Sequence, residues 1–151
     1  MAALAAAVQR FGPADLAVLV FPSNQFHQEP LEGQAPAFRK FCEDGLGGEL
    51  PPGVRLMEPV RVNGPDTHPV YQLLKQSEAN NMRESDQTQG YFQRGFEEDA
   101  DQGRARMVPW NWSFFVVGRD GRVLDRLDAG ASTNSLLAAA EHAVNGPTSS
   151  R

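Results

Sequence analysis

The sequence predicts an α/β fold in which a mixed sheet is flanked by helices, and three observations carry that prediction. A continuous apolar run from Leu16 to Phe21 follows a helix-forming segment, the pattern of a strand buried on both faces of a parallel sheet. Two apolar segments joined by a turn at Asp120-Gly121 read as a β-hairpin, which adds antiparallel strands. A last stretch, "STNSLLAAAEHAV", has the spacing of an amphipathic helix able to cover one face of that sheet.

Each element follows from its residues. "AALAAAVQRF" is built of strong helix formers with Leu4, Val8 and Phe11 at helical spacing, and Gly12-Pro13 stops it, so a helix is expected over 2–10. "GPAD" and "PSN" bound the strand over 16–21. "APAFRKFCEDGL" puts Ala37, Phe38, Phe41 and Cys42 on one helical face, closed by Gly45 and Gly47-Gly48. "PPG" makes a turn, "VRLMEPVRV" is extended, and "NGP" at 63–65 breaks it. Thr67 is expected to cap a helix that tolerates Pro69 in its first turn and turns Val70, Leu73 and Leu74 inward. Residues 77–106 are polar, acidic toward their end and without sustained period, and read as a long surface excursion; its Tyr91, Phe92 and Phe96 either dock on a partner across residues 84–101 or fold back on their own domain. In the last helix Ser132 or Thr133 caps a stripe of Leu136, Leu137, Ala140, Ala143 and Val144, and residues 146–151 form a disordered tail. This order of elements suits a thioredoxin-like fold lacking its first strand.

With 151 residues and 40% hydrophobic content the chain supports one domain with a real core, here residues 1–145. A net charge of −5 with scattered basic residues gives no footprint for nucleic acid, and no apolar run is long enough to be a transmembrane segment. Cys42 is the single cysteine, so no intrachain disulfide forms; this and the lack of a secretion signal make a soluble protein of the cytosol or an organelle a better expectation than a secreted one. His27, His68 and His142 sit in different elements without a ligand pattern, so no metal site is expected, and "GLGG" at 45–48 lacks the lysine of a phosphate loop.

Three motifs in order carry a family resemblance. "LVFPSNQFHQEP" resembles the glutathione peroxidase signature "FPCNQFG", one variable residue, then "QEP"; "VRVNGPDTHPVYQLLK" resembles that family's "VNG...HPLYxFLK"; and "PWNWSFFVVGRDGRV" resembles its "WNFxKFLxxxDGxV". The resemblance implies a thioredoxin-like fold and a thiol-dependent hydroperoxide reductase of oxidative-stress defence. It also implies no bound cofactor, and a hydroperoxide and a thiol reductant, glutathione or thioredoxin, as substrates. In the family a glutamine amide, an indole N–H and an asparagine amide surround the peroxidatic sulfur or selenium, which implies roles for Gln28, Trp110 and Asn111.

The departures are equally specific. The family's peroxidatic residue precedes the helix that here begins almost at Met1, so the nucleophile and its strand are expected to be missing, and the chain alone is expected to be inactive. Ser23 stands where the motif has a non-peroxidatic cysteine, and the usual glycine between Phe26 and the glutamine is absent, with His27 there instead. Cys42 lies near the place of a resolving cysteine in some thioredoxin-using members, though a packed apolar thiol is the favoured reading. Two classes of function remain: an active peroxidase completed by further sequence, and a catalytically dead peroxidase-fold subunit with a structural or interaction role, its open strand edge or its acidic excursion making the contacts.

Overall fold

In the computed structural model, residues 2–26, 35–76, 107–108, 111–127 and 130–146 are described. The excursion over 77–106, the tail beyond 146, and His27, Gln28 and Trp110 lie outside the described residues. Helix α1 (Ala2–Phe11) leads to β1 (Val18–Val20), α2 (Ala35–Leu46), β2 (Val54–Leu56), α3 (Pro69–Lys75), the hairpin β3 (Phe114–Val117) and β4 (Val123–Leu127), and the last helix, here α4 (Thr133–Asn145). Element types and order agree with the sequence expectation.

The alanine-rich α1 ends one residue later than expected, at Phe11, and is followed by Gly12, whose φ is 71° and whose N–H reaches the Val8 carbonyl at 3.0 Å. The buried side of α1, Leu4, Ala7 and Val8, packs on α4, which buries Leu136, Ala139, Ala140 and Ala143. The small alanines let the two helices approach closely. Ser132 caps α4, its Oγ accepting from the Ser135 N–H at 3.1 Å. An exposed ion pair between Arg10 and Glu141, 3.0 Å apart, bridges the two helices and adds little to stability.

β1 and β2 pair in parallel, Val18 opposite Val54 and Val20 opposite Leu56. The two segments stay together past the strands, with the Met57 N–H on the Val20 carbonyl and the Val60 N–H on the Pro22 carbonyl, each at 2.9 Å. β3 and β4 pair antiparallel, with an irregularity between Val116 and Val117. At the turn Gly121 has φ 81° and Asp120 Oδ1 accepts from the Arg122 N–H at 3.0 Å. Among the described residues the strands form two two-stranded sheets, one parallel and one antiparallel, in keeping with the mixed α/β expectation. One expectation needs correction: Leu19 of β1 is half exposed rather than buried on both faces, because it lines a cleft.

Helix α3 departs from the pattern as well. His68, not Thr67, is its N-cap, with Nδ1 accepting from the Val70 N–H at 3.3 Å, while the Thr67 hydroxyl donates to the Gly64 carbonyl at 2.7 Å. Leu73 is 64% exposed and Val70 is exposed too; Tyr71, Leu74 and the fully buried Lys75 face inward, Lys75 donating from Nζ to the Val62 carbonyl at 2.7 Å. Shifting the cap by one residue rotates the register by about 100°, which carries two of the expected inward residues to the surface.

The core around the site comprises Phe26, Val62 and Val108, with Val60, Tyr71 and Phe115 packed against it. Two amides lock it. Gln25 Oε1 accepts from the N–H groups of Val62 and Asn63, at 2.6 and 3.0 Å, and its Nε2 donates to the Asn63 carbonyl at 2.9 Å. Asn63, 1% exposed, repeats the pattern one segment on: Nδ2 donates to the Val108 carbonyl at 2.8 Å and Oδ1 accepts from the Val108 N–H at 2.9 Å.

Asn63→Ala would leave both backbone groups of Val108 buried without these partners, and the expected loss is about 3 kcal/mol of unfolding free energy, readable by urea denaturation; a loss under about 1 kcal/mol contradicts the lock. Burial pushes the Tyr71 phenol up to about 12. A folded-state value above the unfolded one means that its contribution is whole below the ordinary value of about 10 and is lost as pH rises toward 12. Stability should therefore fall more steeply above pH 10 in the wild type than in Tyr71→Phe, measured by denaturant midpoints across that window; parallel curves refute the assignment.

Candidate functional site

β1 ends at Val20, and the chain runs on through Phe21, Pro22 and Ser23 along one wall of a cleft of about 700 Å³. Across the cleft lie Asn111, Trp112 and Ser113, which lead into β3 at Phe114. Leu4 of α1, Phe38 and Phe41 of α2, and Tyr71 of α3 complete the lining. Because successive residues of a strand bond to opposite sides, the bonds of Val18 and Val20 toward β2 turn the N–H and C=O of Leu19 to the cleft. The cleft thus has a strand edge on one wall and the beginning of a second strand on the other.

The lining is mainly apolar, with a few polar groups set into it. Asn111, half buried, offers a neutral amide that can donate two hydrogen bonds without carrying charge. Ser23 Oγ is shielded from solvent and has no hydrogen-bond partner among the described residues. Tyr71 is held edge-on between Phe21 and Phe115, at 5.7 and 5.8 Å between ring centres, and its phenol is a protonated donor at physiological pH, as an unshifted tyrosine would also be. The rim is open, with Leu19 and Phe41 half exposed and the charged Arg39 and Glu58 also on the lining, and the neutral donors are able to stabilise an anion or a polarised oxygen there.

Of the residues expected to act, Asn111 is on the cleft wall, while Gln28 and Trp110 lie outside the described residues. Cys42 is not part of the lining: it is 1% exposed on the inward side of α2. Burial first, and the neighbouring Glu43 charge second, push its thiol above the ordinary value, the opposite of what an attacking thiolate needs. His68 serves as a helix cap, and its ring lies 6.4 Å from Phe21; His142 is exposed on α4. Among the described residues no three His, Cys, Asp or Glu side chains gather to hold a metal ion, and no helix is long and apolar enough to cross a membrane.

Sequence reasoning passed over Gln25, Tyr71 and the Phe41–Trp112 pair, and noted Ser23 only as standing in place of a motif cysteine. For Gln25 a signal existed: an amide beside two aromatics at a strand end, followed by "VNG", whose backbone needs partners. For the others the only signal is spatial.

Residues 1–75 match the family model for glutathione peroxidase. A glutathione peroxidase-like peroxiredoxin of Chlamydomonas reinhardtii is 31% identical over 138 residues, covering 91% of this chain and 68% of that protein. A hydroperoxy fatty acid reductase of Synechocystis sp. is 32% identical over 136 residues, 89% of this chain and 68% of its own length. A thioredoxin/glutathione peroxidase of Escherichia coli is 33% identical over 114 residues, 72% of this chain and 56% of its own length. The matched segments include the strand, turn and hairpin that wall the cleft, and the chain therefore belongs to the glutathione peroxidase family, with its thioredoxin-like fold.

Proposed function

We propose that this chain forms the donor side of a thiol-dependent hydroperoxide reductase site acting in oxidative-stress defence, with glutathione or thioredoxin as the reductant. The observation that carries this reading is Asn111, a neutral amide set into an apolar cleft at the end of β1. In such a site a thiolate or selenolate attacks one peroxide oxygen. An S–O or Se–O bond forms, the O–O bond breaks, and the second oxygen leaves as an anion that takes a proton to become water or an alcohol. Two equivalents of reductant thiol then return the sulfenic or selenenic acid to its starting state and release water. Amide and indole donors lower the energy of the anions before and after attack without competing for the proton. Asn111 takes this role at the cleft, and the family motif gives Gln28 and Trp110 the same one.

The reacting atom is not Cys42, which is buried, high in pKa and away from the cleft, and the sequence holds no second cysteine. Residues 1–151, given hydroperoxide with glutathione or thioredoxin, are expected to turn over no faster than background; a thiol-dependent rate abolished by Cys42→Ser would overturn this. In any assembly where the chain does reduce hydroperoxide, Asn111→Ala should lower kcat/KM by about 10²-fold, and an undiminished rate sinks the donor role.

The two strand edges at the cleft favour a second reading, a peroxidase-fold subunit whose role is interaction rather than turnover. Among the described residues the outer edge of β1 and the edge of β3 have no strand partner. An extended segment of another polypeptide, laid between them, would satisfy those backbone groups and cover Leu19. Residues 1–151 alone should then be oligomeric or poorly soluble by light scattering; a clean monomer with a cooperative melt contradicts this reading.

A further inference from the structure

Trp112, next to Asn111, has φ 66°, and among the described residues no other non-glycine residue has positive φ. A bulky L-residue in that region loses about 1–2 kcal/mol, so its surroundings must hold it there. The contact that can do so comes from α2: the Phe41 ring lies 6.1 Å from the Trp112 ring at 49°, and Phe38 lies 6.3 Å from Phe41 behind it. Phe41 and Trp112 remain 52% and 39% exposed, so neither is a core residue that the fold needs for burial. Reversing φ at Trp112 would turn the peptide plane that joins it to Asn111 and swing the Asn111 side chain from the cleft wall.

We propose that Phe41 is a positioning residue: its ring holds Trp112 in the left-handed conformation, and that conformation keeps the Asn111 amide at the cleft. The proposal rests on the reading of Asn111 as a donor, and the two fail separately. The measurement is hydrogen exchange by mass spectrometry across residues 111–113 of the whole chain. Phe41→Ala should speed exchange there roughly three- to tenfold, the worth of one aromatic pair, while Phe41→Tyr, which keeps the ring, leaves it unchanged. Adding Trp112→Gly to Phe41→Ala should bring exchange back toward wild type, because glycine takes positive φ without a supporting ring. A contact that only packs would behave oppositely, since deleting the second ring would loosen the segment further. Unchanged exchange in Phe41→Ala, or faster exchange in the double variant than in the single one, overturns the proposal. In an assembly that reduces hydroperoxide, an undiminished rate for Asn111→Ala removes the donor role and leaves the exchange result standing.

Discussion

Two side-chain amides do for this fold what a continuous sheet does in others. Gln25 sits just past the end of β1 and grips the backbone of Val62 and Asn63; Asn63 grips Val108, just ahead of the hairpin. Three segments far apart in sequence are joined although, among the described residues, no strand ladder links the two sheets. The bonds lie in or beside the apolar cluster of Phe26, Val62 and Val108, where a backbone group without a partner is costly. Lys75 adds a further donor to the Val62 carbonyl, so the central segment is held from two sides. The position of Asn111 at the cleft depends on this arrangement: the amide lock, the packing of Phe115 on Tyr71 and the Arg119–Asp15 ion pair of 2.7 Å set the hairpin against the β1 segment.

The polar residues after β1 therefore divide their work. Gln25 is structural, bound at both ends of its amide. Ser23 lines the cleft with a hydroxyl shielded from water and without a partner among the described residues. An amide and a hydroxyl two positions apart fall on the same side of an extended chain only while it stays extended; past Pro22 the chain turns, and their environments separate. Cys42 illustrates a related point. It is the most chemically distinctive residue in the sequence, yet helix α2 directs it inward and exposes Phe41 to the cleft instead.

Helix α3 shows where pattern reading has least leverage. Seven residues are two turns, too few for periodicity to fix a face. The cap decided the register, and the cap depends on whether the His68 ring or the Thr67 hydroxyl wins the free N–H groups. Thr67 is engaged with the Gly64 carbonyl, so His68 takes the role, Lys75 turns inward and Leu73 outward.

Local propensity, turn chemistry and motif identity are legible in the residues themselves, and they set the element types and their order, the helix over 35–46, the hairpin at Asp120-Gly121 and the family. The sequence also shows a single thiol, Cys42, and places Asn111 within the Trp-Asn motif. Only the folded contacts put Leu19 at a cleft, bury Cys42 outside its lining and bring Phe41 to Trp112. Each of these turns on which segments touch across more than thirty residues of chain, and neither a period of two nor one of 3.6 encodes contacts at that range.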